Sequence, residues 1–468
     1  MKKPKLGQEN SLGTASINKL LLDYTVPCII GMVVSAAYNI VDQLFIGQSI
    51  GMLGNAATNV AFPLAIICTA ISLLFGIGGA ANFNLSMGGG EQEKARLYAG
   101  NAIFLMVTVS VVLSILTLVF LKPLMVLFGA TDEVLSYAMT YTGVSAIGFP
   151  FLILSVAGGH LIRADGSPGY AMACNIIGAV INAILNPIFL FGLKTGIEGA
   201  AYATVIAQII AGSMVIFYLT HFKTVKLNWK ALKPIPGYCL RVVTLGMAPF
   251  FNQLAMMVVQ VVLNNSLTYY GAHSLFGSEI PLACAGIITK VNMLFFAVVI
   301  GMSQGLQPIV SFNYGAGKYL RVKEAYWKMA VAATVISFVS FVVFQIFPKE
   351  IIALFGEGDK EYFLFAERFF RIFLFCVFID GIQPITANFF TAIGRPGKGV
   401  FLSLTRQVIF LLPLLLLLPV FYGMDGIMYS APIADALSAV IAIVLVIGEF
   451  RRINRDLPGS AAAKRMPQ

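Results

Sequence analysis

The amino-acid sequence predicts an all-α integral membrane protein whose twelve spanning helices form two related six-helix lobes. The first reason is composition: of 468 residues, 58% are hydrophobic and only 11% are charged, with a mean hydropathy of +0.86. A soluble domain carries about 25% charged residues because its surface faces water, so most of this surface must face lipid. The other two reasons are a series of long apolar runs and a repeat that relates the two halves of the chain.

The apolar runs are long enough to cross a bilayer. A spanning helix requires about 20 mostly apolar residues. Twelve runs meet this condition, near residues 18–46, 54–87, 95–121, 133–163, 168–190, 196–220, 239–271, 281–312, 322–346, 360–392, 397–420 and 426–449. Several are longer than a perpendicular span, which predicts tilt, kinks or ends that project into water. No apolar segment with a cleavage site directly follows the basic first residues, so no cleaved signal peptide is expected.

Positive charge is distributed unevenly between the two sides of the predicted membrane. If the N-terminus is cytoplasmic, 23 of the 31 Lys and Arg residues fall in cytoplasmic segments, four in the outer loops and four within or at the edge of spans. Cytoplasmic loops carry such an excess, so both termini are expected in the cytoplasm. The net charge of +10 then indicates topology and an affinity for anionic membrane lipid, and no nucleic-acid partner is expected.

Motifs of the first half recur in the second half at a nearly fixed distance. Gly78, Gly88 and Gly90 return after 227 residues as Gly305, Gly315 and Gly317, and Pro27 returns after 222 residues as Pro249. Because each half holds an even number of spans, the halves enter the membrane in the same sense, related by a pseudo-twofold axis along the membrane normal. Rocking of two such lobes alternates access to the cleft between them. The predicted units are an N-terminal lobe at 13–222, a cytoplasmic linker at 223–238, a C-terminal lobe at 239–450 and a cytoplasmic tail at 451–468.

The sequence lacks the residue patterns of an enzyme or of an ATP-driven pump. The spans show no metal-ligand cluster and no nucleotide-binding loop, and no soluble domain is apparent. We therefore expect neither catalysis nor a resident cofactor or metal. The six cysteines are scattered, mostly within apolar runs and with no CxxC pair, which favours small buried side chains over disulfides or a metal site. A monomer is expected.

Several motifs together resemble one family of transporters. They are Val41-Asp-Gln-Leu-Phe-Ile-Gly, Leu161-Ile-Arg-Ala-Asp-Gly-Ser-Pro-Gly, Asn182-Ala-Ile-Leu-Asn-Pro and Ala387-Asn-Phe-Phe-Thr-Ala-Ile-Gly-Arg-Pro. In this order they resemble the multidrug and toxic-compound extrusion (MATE) family, and within it the bacterial MepA-like branch, from about residue 13 to residue 450. The resemblance implies the V-shaped pair of lobes of the MATE and wider MOP-superfamily fold in a bacterial cytoplasmic membrane. It also implies export of amphipathic, usually cationic compounds driven by inward H⁺ or Na⁺.

Acidic side chains within a membrane are energetically costly, so each one is a candidate site. Asp42 lies in the first span, with Tyr38 one turn earlier on the same face and Asn39 three residues earlier. In a low-dielectric environment its carboxylate is expected to bind a proton near neutral pH, or to coordinate a transient Na⁺ with neighbouring oxygens. Asp42 also matches the first-span aspartate of the MATE motif, so it is the leading candidate for cation coupling.

Three amides of the fifth span share one helix face, because Asn175, Asn182 and Asn186 are spaced by seven and four residues. Many MATE relatives carry aspartate at the position of Asn186, so this chain has one ionisable oxygen fewer there. Asn182 and Asn186 are predicted to take part in cation coupling, and Tyr38, Asn39 and Asn175 to line the substrate cavity. Hydrogen bonds between helices are the structural alternative for these amides.

Asp380 in the tenth span is the candidate for cation coupling in the second half, since some MATE relatives of another branch hold a cation-site aspartate in that span. Its expected partner is an amide such as Gln260 or Asn264, which at an offset of 222 occupy the places of Tyr38 and Asp42. The predicted cavity-lining residues of this half are Gln260, Asn264, Gln304, Gln307 and Asp435, and the sequence leaves the role of Lys290 open.

Three kinds of function are weighed against these residues. The first is a secondary active antiporter that exports amphipathic, cationic small molecules by alternating access. The second is a lipid-linked oligosaccharide flippase, which would favour several cations in the central cavity to bind pyrophosphate, whereas the mid-span candidates here are mostly acidic. The third is a non-transporting receptor or scaffold, which leaves the repeat and the buried carboxylates without a use. The antiporter is therefore the expected function.

Overall fold

The computed structural model describes residues 11–274, 277, 279–354 and 360–456. Within these ranges the chain is helical apart from short connections, and no strand is present. We number the spanning segments in chain order: α1 Ile17–Ile50, α2 Met52–Gly88, α3 Gln92–Val119, α4 Asp132–Ala164, α5 Pro168–Pro187, α6 Ile197–Leu219, α7 Pro236–Ala272, α8 Glu279–Gly315, α9 Tyr319–Ile346, α10 from Lys360 to Ala392, α11 from Pro396 to Tyr422 and α12 Met424–Asp456. Short helices at Ser11–Thr14, Leu121–Leu127 and Pro348–Ala353 lie between or before them.

Of the twelve segments, eleven contain helices that are long and apolar enough to cross a membrane in the described part of the chain. The exception, α10, is divided into Lys360–Phe373, Val377–Asp380 and Ile382–Ala392. Each piece is shorter than a full span, and the first carries several charged residues, among them Glu367, Arg368 and Arg371. The sequence predicts the span as a whole but not its interruptions.

Each half of the chain forms a bundle of six segments. In the first lobe α4 packs on α2 and α6, and α1 packs on α5; in the second lobe α8 packs on α9 and α10, and α11 packs on α7 and α12. The first core contains many alanines, among them Ala95, Ala99, Ala102 and Ala157, all fully buried. Helices in a membrane associate through such small residues because lipid supplies no hydrophobic driving force between them.

The two lobes meet along a seam formed by α1, α2, α7 and α8. α1 packs on α8, α2 packs on α7, and α2 also packs on α8. The repeat relates the first two contacts to each other, because α1 corresponds to α7 and α2 corresponds to α8. A Cβ added to Gly305 would lie 2.6 Å from Thr25 Cα, and one added to its repeat counterpart Gly78 would overlap the carbonyl oxygen of Val242. Equivalent close contacts join Gly88 to Phe312, Gly315 to Leu85 and Gly246 to Leu74.

These close contacts all lie toward one end of the bundle. They involve the first halves of α1 and α7 and the second halves of α2 and α8, which is the end where the N-terminal residues of α1 lie. Four of the glycines that identify the repeat in the sequence, Gly78, Gly88, Gly305 and Gly315, therefore bring the backbones of the lobes together, whereas Gly90 and Gly317 lie in open space.

Candidate functional site

A buried polar cluster joins α1, α5 and α6 in the first lobe. Asn186 donates hydrogen bonds from its amide nitrogen to Asp42 Oδ1 at 2.5 Å and to Asn182 Oδ1 at 2.8 Å. Asn182 in turn donates to Thr204 Oγ1 at 3.1 Å, and the Thr204 hydroxyl donates to the Ala200 carbonyl oxygen. Asn182 and Asn186 are 1% and 0% exposed, so the sequence correctly placed the two amides on a face that points into the lobe.

The cluster retains an acceptor without a donor. The carbonyl oxygen of the Asn186 side chain is buried and has no hydrogen-bond partner. An unsatisfied buried acceptor is unfavourable, and it lies on the amide whose nitrogen contacts the Asp42 carboxylate. A carboxylate oxygen and an amide oxygen are both suitable ligands for a hard cation such as Na⁺, although here the amide nitrogen faces the carboxylate. The carboxylate alone can accept a proton.

The backbone near this cluster departs from a regular helix. Pro187 follows Asn186 directly and cannot donate a backbone hydrogen bond to the carbonyl of Ala183. α5 then widens into a π-helical turn at Ile188–Gly192. Such turns are rare and frequently occur at functional sites. The tyrosines Tyr38 of α1 and Tyr141 of α4 lie within electrostatic range of Asp42.

The second lobe holds a different cluster, made of three charged side chains. Arg406 of α11 donates from Nε to Asp435 Oδ1 of α12 at 2.6 Å, and its Nε and Nη2 lie 3.4 and 3.5 Å from the two oxygens of Asp380 on α10. Asp380 and Asp435 are 2% and 3% exposed, and the Phe296 ring of α8 lies 5.4 Å from the guanidinium. Two carboxylates around one guanidinium give the cluster a formal net charge of −1.

Local irregularities again hold these residues in place. Asp380 ends the short piece Val377–Asp380 at an interruption of α10, and Arg406 lies in a π-helical stretch, Thr405–Leu411, that replaces one part of α11. The partner expected for Asp380 was an amide, Gln260 or Asn264, and the structure gives it Arg406 instead. Those two amides contact each other on α7, with Gln260 Nε2 donating to Asn264 Oδ1 at 3.0 Å.

The other predicted cavity residues lie in several places. Asn39 is exposed and donates to its own helix, to the Ser35 carbonyl at 2.7 Å, and Asn175 contacts Gly31 between α5 and α1. Gln304 and Gln307 are 7% and 3% exposed, and they contact Met32 Sδ and the Ile77 carbonyl across the seam. In this conformation both glutamines face protein, so their role as cavity-lining residues stays a prediction for a conformation in which the seam opens. Lys290 is partly exposed on α8.

Sequence reasoning missed Thr204, Tyr141 and Arg406 as members of these clusters. Thr204 and Tyr141 are common residues in apolar spans, and nothing in their spacing relates them to Asp42. Arg406 carried a detectable signal, because it is one of four cations at or within the spans and a buried guanidinium requires a carboxylate partner. Among the described residues there is no group of three or more His, Cys, Asp or Glu side chains placed to hold a metal ion.

A duplicated helical bundle with an ionisable cluster inside each lobe and glycine contacts between the lobes is the architecture of a secondary transporter. The MatE family model matches residues 27–188 and 253–417, one match in each half of the chain. The chain therefore belongs to the MATE family, and the expectation of a two-lobe MATE transporter rather than an enzyme is confirmed.

Similar proteins and structures support this membership along almost the whole chain. The multidrug export protein MepA of Staphylococcus haemolyticus is 26% identical, over 94% of this chain and 96% of that relative. The structure of the MATE multidrug transporter DinF-BH is 32% identical, with a TM-score of 0.85 over 96% of this chain and 98% of that one. An outward-facing MATE transporter of the MOP superfamily is 20% identical, with a TM-score of 0.88 over 95% of this chain and 98% of that one.

Proposed function

We propose that this chain is a secondary active multidrug antiporter, which exports amphipathic, cationic organic compounds in exchange for H⁺ or Na⁺ by alternating access. The observation that carries the proposal is the Asp42 cluster inside the first lobe, where the carboxylate accepts a hydrogen bond from Asn186, an amide whose own oxygen is buried and unsatisfied. The cargo class follows the relatives that are called multidrug export proteins. It also agrees with the acidic character of the Asp42 cluster.

Asp42, Asn182 and Asn186 form the coupling site in this proposal. The cation neutralises Asp42 and draws in the free oxygen of Asn186, which reorganises the contact between α1 and α5. Pro27 interrupts the hydrogen bonding of the same α1 and provides a point at which that helix can bend. A bend of α1 caused by cation binding at Asp42 would then displace Thr25 of α1 from its contact with Gly305 of α8 at the seam.

Asp380 is the second candidate for coupling. Its cluster with Arg406 and Asp435 has a net charge of −1, and one bound proton would make it neutral, which favours H⁺ there. A guanidinium within 3.5 Å of both carboxylates opposes the approach of Na⁺. We therefore assign the main coupling role to the first lobe and a proton-linked role to the second.

The flippase alternative loses support from the position of Arg406. A lipid pyrophosphate needs cations that are free to bind it, and Arg406 is held by two carboxylates instead. Lys290 of α8 is the remaining candidate cation at the middle of a span. A receptor or scaffold function is disfavoured by membership in a family of transporters.

The proposal includes an orientation and a location. With both termini cytoplasmic, the closed end of the seam faces the cytoplasm, so the conformation is open toward the outside. The lobes 13–222 and 239–450, the linker 223–238 and the tail 451–468 are the units that move or connect in this scheme. The transporter is proposed to act as a monomer in the bacterial cytoplasmic membrane, surrounded by lipid.

The test is transport in proteoliposomes with separately imposed pH and Na⁺ gradients, using a panel of cationic dyes and an anionic dye of similar size. The antiporter predicts efflux of the cationic dyes that is stimulated by at least one of the two gradients. Efflux stimulated by neither gradient would contradict the proposal. Preference for the anionic dye would contradict its cargo class while leaving the coupling intact.

A further inference from the structure

The connection between α6 and α7, residues 220–235, is held tightly against the first lobe, and we call it the strap. At its start, the backbone nitrogens of Lys223 and Thr224 donate to the Asp165 carboxylate at 2.7 and 3.0 Å, and the Thr224 hydroxyl donates at 2.5 Å. At its end, the nitrogen of Ile235 donates to Asn101 Oδ1 at 2.7 Å. Both ends of the strap are therefore fixed by side chains of the lobe.

The strap has an inner and an outer face. Val225 and Ala231 are 7% and 0% exposed and pack on the lobe, whereas Trp229 is 87% exposed. The four lysines of the strap, which are also exposed, are Lys223, Lys226, Lys230 and Lys233. An exposed indole flanked in the sequence by lysines is unusual for a surface in contact with water alone, because the indole is largely apolar and prefers a membrane interface.

The Asp165 carboxylate binds the backbone and a hydroxyl of the strap and none of its lysine side chains. No acidic residue occurs between Glu198 and Glu279 in the sequence. The ion pairs found among the described residues include none of the four strap lysines. The strap therefore exposes one tryptophan and four lysines that belong to none of these ion pairs.

The packing on α3 gives the depth of the strap in the membrane. Ala231 lies flush against Gly100, where a Cβ would overlap the Ala231 carbonyl oxygen, and the Asn101 amide approaches the same oxygen at 3.5 Å. The charged residues of α3 end at Arg96, and its following 17-residue apolar stretch 103–119 spans about 25 Å at 1.5 Å per residue. That length is close to the hydrocarbon core of about 30 Å. Ala231 thus lies at the edge of that core, at the level of the lipid headgroups.

From these observations we infer that the strap is a docking surface for anionic phospholipid, with Trp229 inserted at the interface and the lysines bound to headgroup phosphates. The occupant is the surrounding bilayer and not a soluble anion, because the strap that carries the exposed indole and lysines packs on α3 at headgroup depth. Since the strap is fixed to the first lobe and continues directly into α7 of the second lobe, bound lipid would hold the end of the seam about which the lobes move.

The binding test uses Trp229 itself as the probe. Trp229 and Trp327 are the two tryptophans of the chain, so Trp327→Phe leaves Trp229 as the only source of indole fluorescence. The protein is placed in nanodiscs of phosphatidylcholine and phosphatidylglycerol in equal amounts, with bromine on the acyl chains of one lipid or the other. Bromine near the indole quenches it. The expected result is quenching by brominated phosphatidylglycerol that is about twofold or more stronger than by brominated phosphatidylcholine.

Two variants in the same background define the lipid preference. Replacing the four strap lysines by glutamine is expected to make the quenching by the two brominated lipids equal. The control replaces Lys122, Lys194 and Lys349, which lie at the opposite end of the bundle, and is expected to retain the preference. Equal quenching by the two brominated lipids in the Trp327→Phe protein, which retains all four strap lysines, would overturn the preference for anionic lipid. Quenching by aqueous acrylamide with none by either lipid would overturn the docking itself.

A transport consequence rests on the proposed antiport. The four-lysine variant is expected to lose the difference in efflux rate that the parent shows between vesicles with and without phosphatidylglycerol. The quenching measurement does not require transport, so failure of the antiport and failure of the lipid docking are distinguished by the two readouts. An unchanged lipid dependence of efflux in a variant that has lost the quenching preference would overturn the link between lipid docking and transport.

Discussion

The two lobes share a backbone plan but hold their ionisable groups in different places. The first lobe has one carboxylate, Asp42, among neutral amides and a hydroxyl. The second has two carboxylates that already surround a cation of the protein, Arg406. At the repeat offset of 222, the position of Asp42 is occupied by Asn264, whose partner is the neighbouring amide of Gln260. The two halves thus share a scaffold, while the proposed site for an external cation lies in one lobe.

The largest effect is expected from breaking the ion cluster of the second lobe. Arg406→Gln leaves two buried carboxylates without a cation, which destabilises the fold by about 3–5 kcal/mol. Asp380→Asn removes the more distant of the two carboxylates and leaves one balanced pair, so it is expected to cost far less or to stabilise. The measurement is thermal unfolding in nanodiscs.

The control for the second-lobe prediction is Lys328→Gln, which removes an exposed ion pair with Glu324 and is expected to change stability by about 0–1 kcal/mol. If Asp380→Asn destabilised the protein as much as Arg406→Gln, the two carboxylates would not be in excess over their cation.

The next effect concerns Asp42 in the first lobe. Asp42→Asn is isosteric and removes the charge that a coupling cation neutralises, so gradient-driven efflux is expected to fall about 100-fold. Binding of a cationic dye without a gradient is affected less, because the fold and the cleft remain. The matched variant Asp23→Asn changes an exposed carboxylate on the same helix, and efflux equal to that of the parent is expected. Full efflux by Asp42→Asn would remove the first lobe from the coupling mechanism.

The seam between the lobes supplies the third prediction. Gly305→Ala places a Cβ 2.6 Å from Thr25 Cα, and the closed seam is destabilised by about 1–3 kcal/mol. Spin labels at the exposed positions 19 and 240 of a cysteine-free protein are then expected to show a longer distance between the lobes. Gly286→Ala on the same helix, where nothing lies within 4 Å, is expected to leave that distance unchanged. A distance that shifts equally in both variants would mean that Gly305 has no special part in closing the seam.

The smallest effect is expected from the hydroxyl that supports the amides. Thr204→Val keeps the shape of the side chain but removes the acceptor of Asn182, a loss of about 0.6 kcal/mol for a hydrogen bond between membrane helices. The apparent affinity for the coupling ion is expected to weaken by about twofold to threefold. A loss as large as that of Asp42→Asn would instead make Thr204 a direct ligand.

Hydrophobicity and the repeat predicted the helical segments and the two lobes, because both depend on patterns along the sequence. They identified the recurring glycines but not the contacts that four of them make at the seam. The spacing of Asn182 and Asn186 likewise predicted that they share one helix face. The partner of Asp380 was not predictable in this way. Its contact with Arg406 and Asp435 depends on an interruption of α10 and on a π-helical stretch of α11, which arise from packing between helices and have no period in the sequence.

The most direct test of the central claim compares the two lobes in one assay. Efflux of a cationic dye from proteoliposomes is measured with and without the ion gradient that drives the parent, for Asp42→Asn and for Asp380→Asn, which leaves Arg406 balanced by Asp435. A coupling site in the first lobe predicts that Asp42→Asn loses the stimulation by the gradient, while Asp380→Asn keeps most of it. Stimulation that persists in Asp42→Asn and disappears in Asp380→Asn would contradict this prediction and would place the coupling site in the second lobe.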